Sequence, residues 1–132
     1  MKSGDTFRIK YPRDIFHPFV VISAPEKLPD VIWKDYVFLV MLSTKESWKD
    51  NSCVLTPTDL SPLTHDSVAV FESPPSLWIT LGHLQTLKEQ KRLHEYGAVT
   101  PEALQRLREG YANSDYQMDK VYQFLWRQGL VD

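Results

Sequence analysis

Apolar and polar residues alternate with a period of two over Thr6-Phe7-Arg8-Ile9-Lys10-Tyr11, which predicts a first β-strand with one face in water. A loop from Pro12 to Phe16 follows. The apolar run Phe19 to Ser23 then predicts a second strand, because it is too short for a typical helix and rich in β-branched residues. Pro18 suits the opening of that strand, since proline fixes its own backbone angle and lacks a donor, and this puts His17 at the junction of loop and strand. The stretch holding Pro25 and Pro29 reads as a loop. Tyr36 to Leu42 is apolar throughout, as a central strand would be, and ends in the polar cluster Ser43-Thr44-Lys45-Glu46. Cys53 to Thr56 and Ser67 to Phe71 predict two more strands across a turn-rich segment with Pro57, Asp59, Pro62 and Asp66. Trp78-Ile79-Thr80 adds a short sixth.

Beyond Val99 the period changes. Thr100 offers a capping hydroxyl, Pro101 fits the first helical position, and Leu104, Leu107 and Tyr111 follow at helical spacing, so a helix is expected from Pro101 to about Tyr111. Met118, Val121, Tyr122, Leu125 and Trp126 form a second apolar stripe that ends before Gly129. This stripe, Trp126 included, must be buried somewhere. Several short strands followed by helices predict an α+β domain built on a strongly bent sheet or small β-barrel. Residues 1–112 form its body, and residues 113–132 a helical extension packed on it.

At 132 residues the chain is long enough to bury one core without disulfides or metal. Fifteen basic and seventeen acidic side chains give a formal charge of −2, so no global field draws the protein onto nucleic acid, and any RNA contact must be local. Cys53 is the single cysteine, which excludes an internal disulfide and the thiolate zinc frameworks and fits a reducing cytoplasm. His65, His83 and His94 lack metal-ligand spacing, and neither metal nor cofactor is expected. No apolar run approaches the roughly 20 residues that span a bilayer, so membrane insertion is not indicated. Lys88, Lys91 and Arg92 near Glu89, and Arg106 and Arg108 among Glu102 and Glu109, read as charges that solvate helix faces.

Five blocks stand in a telling order: Gly4-Asp5, His17-Pro18-Phe19-Val20-Val21-Ile22-Ser23, Leu39-Val40-Met41-Leu42-Ser43-Thr44, Asp66-Ser67-Val68-Ala69-Val70 and Val99-Thr100-Pro101-Glu102. In order and spacing the chain resembles the PemK/MazF-like toxins over residues 3–111. The resemblance implies an SH3-like small barrel of five to six strands with appended helices, usually dimeric. It also implies a ribosome-independent endoribonuclease of a type II toxin-antitoxin system, held in check by a cognate antitoxin protein. Where the family's second strand opens with Arg-Pro, whose arginine handles the scissile phosphate, this chain has His17-Pro18. The family's Thr-Ser at the end of the third strand falls on Ser43-Thr44 in reversed order, and the RNA-contacting loop between the first two strands is shortened.

Metal-free RNA cleavage needs a base for the 2′-hydroxyl proton, an acid for the leaving 5′-oxygen, and donors or positive charge on the phosphorane. Histidine, with an ordinary pKa of about 6.5, can serve as base or acid, which arginine cannot. The resulting candidate site is His17, Ser43 and Thr44, with Arg13 and Lys45 supplying the phosphate-binding charge at its edge and Trp48 able to stack a base or anchor a protein. Each residue also has a plainer reading: His17 as a strand-boundary residue, Ser43 and Thr44 as the start of a turn, Lys45 to Asp50 as a solvated loop, Trp48 as part of the core. The rival to a nuclease is a catalytically inactive protein of this fold that binds protein or nucleic acid. The stripe carrying Trp126 packs either on its own barrel or into a dimer or antitoxin groove.

Overall fold

Six consecutive residues of one strand, Val37 to Leu42, are buried, and their alternation divides the interior into two cores. The computed structural model describes residues 1–11, 14–28, 31–46 and 52–132. Among these the elements run β1 (Asp5–Lys10), β2 (Phe16–Val21), β3 (Glu26–Leu28), β4 (Val31–Thr44), β5 (Val54–Leu55), β6 (Ser67–Val70), β7 (Leu77–Thr80), α1 (Leu81–Glu89), β8 (Leu93–Ala98), α2 (Pro101–Ala112) and α3 (Asp119–Arg127). The result is an α+β fold on a curled antiparallel sheet with the order β5-β6-β4-β2-β1-β8, in which β3 and β7 also pair with β4.

The 14-residue strand β4 has two partners along each edge. On one edge β2 pairs with Leu39 to Met41 and β3 with Val31 to Tyr36; on the other, β6 pairs with Met41 to Thr44 and β7 with Tyr36 to Leu39. Where partners change, the ladder is incomplete, and a buried backbone amide must find another acceptor. Two buried serines supply it. The amide of Phe38 donates to Ser23 Oγ at 2.9 Å, and that of Met41 donates to Ser76 Oγ at 2.9 Å.

Even-numbered β4 residues Phe38, Val40 and Leu42 face a core closed by α2 and α3, through Leu107, Tyr111, Val121 and Leu125. Odd-numbered Val37, Leu39 and Met41 face a second core with Phe19, Ile79 and, from α1, Leu84. Helix α2 begins as its sequence predicts, with Thr100 Oγ1 accepting from the Ala103 amide at 3.2 Å and Pro101 in the first turn. Glycine at position 110 lets α2 lie against the sheet, because a Cβ there would come within 2.8 Å of the Phe71 ring. The buried Tyr111 hydroxyl accepts from the Met118 amide at 2.8 Å and so ties the start of α3 to α2; burial raises its phenol pKa. Arg108, its pKa lowered by burial, donates to the Ile22 carbonyl at 2.9 Å.

The segment before β6 is clipped to α2 by Asp59. Its carboxylate accepts from the Thr56 amide at 2.9 Å and meets Arg106 at 2.7 Å, while the Arg106 guanidinium also donates to the Val54 carbonyl. Burial opposes ionisation of Asp59, but the hydrogen bonds from Thr56 and the pairing with Arg106 outweigh it and hold the carboxyl below its ordinary value.

Four expectations need correction. The stretch from Pro25 to Pro29 is not a plain loop: Glu26–Leu28 forms β3, and its hairpin partner extends β4 back to Val31. Among the described residues the sheet has eight strands, not five or six, because Leu93–Ala98 also forms one; it is an edge strand with one buried residue, without the alternation that marks a half-buried strand. Arg92 lies between α1 and β8, not on a helix face, and donates to the Lys10 carbonyl at 2.9 Å. Trp126 is exposed, because nine residues of α3 bury a single stripe, Val121, Phe124 and Leu125, with Phe124 edge-on to Trp78 at 4.8 Å.

Ser76→Ala removes an acceptor from a strand buried on both faces, and is expected to cost about 1–3 kcal/mol in urea unfolding; a loss within error of zero would contradict this role. Asp59 titrates lower in the folded chain than in the unfolded one. Its contribution is therefore complete above about pH 4 and is lost as pH falls through its folded pKa. In urea melts between about pH 6 and pH 3, the stability gap between the native chain and Asp59→Asn should narrow as pH falls, and a constant gap would refute the assignment.

Candidate functional site

The end of β4 that emerges from the two cores carries Ser43, Thr44 and then Lys45. Beside it lies the start of β2. The paired register runs Val21 with Leu39, Val20 with Val40 and Phe19 with Met41, so two residues further on His17 and Ser43 fall at the same end of neighbouring strands. They also share a face, since His17 alternates with Phe19 and Ser43 with Met41, both on the α1 side of the sheet.

His17 is half-buried and held in place. Its Nδ1 lies 3.2 Å from the carbonyl oxygen of Tyr11, whose ring packs against Phe19 with centroids 6.3 Å apart. A carbonyl only accepts, so Nδ1 carries the hydrogen in this contact, and the neutral ring presents Nε2 as its lone-pair nitrogen.

Thr44 is not brought to that face. Successive strand residues project to opposite sides, and Thr44, paired with Ser67 on β6, turns toward the α2 side of the sheet. There its hydroxyl lies 3.0 Å from Nε2 of His65, while Thr64 Oγ1 lies 3.1 Å from Nδ1 of the same ring. The three candidate catalytic residues therefore gather at one strand end but straddle the sheet, His17 and Ser43 on one side and Thr44 with His65 on the other. Lys45 follows with its side chain exposed and its amide donating to the Asp66 carbonyl at 3.0 Å. Arg13 and Trp48 lie outside the described residues.

His65 has no metal-ligand spacing in the sequence and is not among the residues predicted for the site. The signal that would have found it is the one that singled out His17: an ionisable side chain at the mouth of an apolar strand, here Ser67 to Val70. Chemically, this end of the sheet gathers two imidazoles and three hydroxyls, a set suited to moving protons and donating hydrogen bonds to an oxyanion.

A scan against protein-family models and a search of curated proteins both return no match. No helix among the described residues is long and apolar enough to cross a membrane.

Nitrogen-15 NMR of the imidazoles tests the geometry at His17. The neutral ring is expected as the Nδ1–H tautomer, and a dominant Nε2–H tautomer would break the assigned contact with Tyr11.

Proposed function

We propose that this chain is a PemK/MazF-like toxin, a metal-independent endoribonuclease on an SH3-like barrel that cleaves single-stranded RNA at the end of β4. The observations that carry the reading are the contact of His17 Nδ1 with the Tyr11 carbonyl, which leaves Nε2 as acceptor, and the alternation that gives His17 and Ser43 the same face of the sheet. In this reaction Nε2 takes the proton of a ribose 2′-hydroxyl, the 2′-oxygen attacks the adjacent phosphorus, and the P–O5′ bond breaks. The leaving 5′-oxygen takes its proton from water. The products are a 2′,3′-cyclic phosphate and a 5′-hydroxyl. Ser43 donates to a non-bridging oxygen, and the exposed Lys45, with Arg13, contributes the positive charge. A homodimer and a cognate antitoxin belong to this reading.

A second reading, a binding protein of the same fold without catalysis, is favoured by the engagement of Thr44 with His65 on the opposite face, which leaves one candidate hydroxyl beside His17. A single experiment separates the two. Purified protein is incubated with a mixed-sequence single-stranded RNA in excess chelator and the new ends are mapped. The nuclease reading predicts cyclic-phosphate ends and a loss of at least about 100-fold in His17→Ala, the scale of a general base. Cleavage equal in His17→Ala and the native chain rejects the assigned base, and intact RNA with measurable binding establishes the second reading.

A further inference from the structure

On the α2 side of the sheet, β1, β2 and β8 leave the helices behind and carry a row of cations and rings into solvent. Alternation along β1 sets Arg8 and Lys10 opposite in direction to the buried Ile9, and the β1–β2 register places Phe16 across from Lys10. On the other edge of β1, His94 pairs with Arg8. The register then shifts between Thr6 and Phe7, where Tyr96 is the extra residue of a bulge whose next position, Gly97, has φ +119. Tyr96 follows His94 by two residues, so alternation sets it on the face that carries Arg8, and the bulge shifts the register just beyond it.

The contacts are continuous. The Arg8 guanidinium carbon lies 5.5 Å from the Phe16 ring centroid and 5.9 Å from that of Tyr96. Lys10 Nζ is 5.4 Å from the Phe16 ring centroid, and the His94 ring centroid is 5.3 Å from it, tilted by 46°. Tyr96 is anchored by its hydroxyl, which donates to the Pro62 carbonyl at 3.0 Å. Arg8 and His94 are exposed, and of the three rings Tyr96 alone reaches the neighbouring core.

We propose that this row, Arg8, Lys10, Phe16, His94 and Tyr96, binds single-stranded nucleic acid, with the phosphates on the cations and bases stacked on the rings. Charge complementarity selects the occupant. Arg92 adds a third strong cation, and among the described residues the carboxylate that meets Lys10 and Arg92 is that of Asp14, at 3.8 and 3.9 Å. The surplus is local, in a chain whose formal charge is −2. Flat rings interleaved with cations match a polymer that alternates bases with phosphates. An acidic peptide would satisfy the cations without using the rings. Thr44 and His65 lie on this same face, so the row leads toward the end of β4. The choice of RNA over DNA rests on the reading above; the surface itself does not.

The test uses the full chain and a fluorescent ten-nucleotide RNA with 2′-O-methyl riboses, which cannot be cleaved, so binding is measured whether or not the protein is a nuclease. Arg8→Gln with Lys10→Gln is expected to weaken binding at least tenfold and to flatten the slope of affinity against salt by roughly one unit. Phe16→Leu, which keeps apolar bulk but removes the π face, is expected to weaken binding at least fivefold with the salt slope unchanged. Thermal melts confirm that each variant is folded, and Tyr96→Leu stands in if Phe16→Leu is not. Loss on the charge pair with no effect of either ring variant, together with displacement of the RNA by a poly-glutamate peptide, overturns the proposal in favour of an acidic protein partner. Unchanged affinity in every folded variant also overturns it. If the native chain binds through this row yet leaves unmodified RNA intact, the nuclease reading fails and the surface stands. If it cleaves RNA and all the variants bind normally, the reverse holds.

Discussion

From Val37 to Leu42 strand β4 is buried on both faces, and the backbone of such a stretch has no water to fall back on. Every amide and carbonyl along that stretch must be paired within the protein, since an unmet buried group costs at least as much as an ordinary hydrogen bond contributes. The chain meets this demand with four short partner strands and, at the two places where one partner gives way to the next, with the hydroxyls of Ser23 and Ser76. The changes of partner let the sheet curl, and the curl gives each face its own core, one under α2 and α3 and one under α1.

The same alternation that fills two cores decides what the strand end can do. Ser43 and Thr44 are adjacent in sequence and therefore opposite in direction. A site that needs both hydroxyls on one phosphate is hard to build from them, whereas a polymer that crosses the strand end can meet His17 and Ser43 on one side and Thr44 and His65 on the other. The half-exposed row from Tyr96 through Arg8 to Phe16 gives the second side a surface along which such a polymer could lie.

Much of the fold was legible because its strongest signals are local. The alternation of Thr6 to Tyr11, the apolar run ending at Leu42, and the Thr100-Pro101 helix start each specify an element without reference to the rest. What sequence could not show depends on pairing. β3 has only three residues and is recognisable by its partner, and β8 reads as polar until β1 is placed beside it. Trp126 looked like core because it continues a helical stripe, but the width of the contact that α3 makes is set by the sheet beneath it. At the candidate site, His17 was found from its place at a strand mouth. His65 stands two residues ahead of β6, and nothing in its spacing to other residues marks it in the sequence.

The most direct measurement is a crystal structure of the chain with a short single-stranded RNA carrying one 2′-deoxy ribose at the cleaved position. The account predicts the phosphate following that ribose within hydrogen-bond distance of His17 Nε2 and Ser43 Oγ, at the end of β4. A strand bound elsewhere, with no phosphate near these two groups, would contradict it.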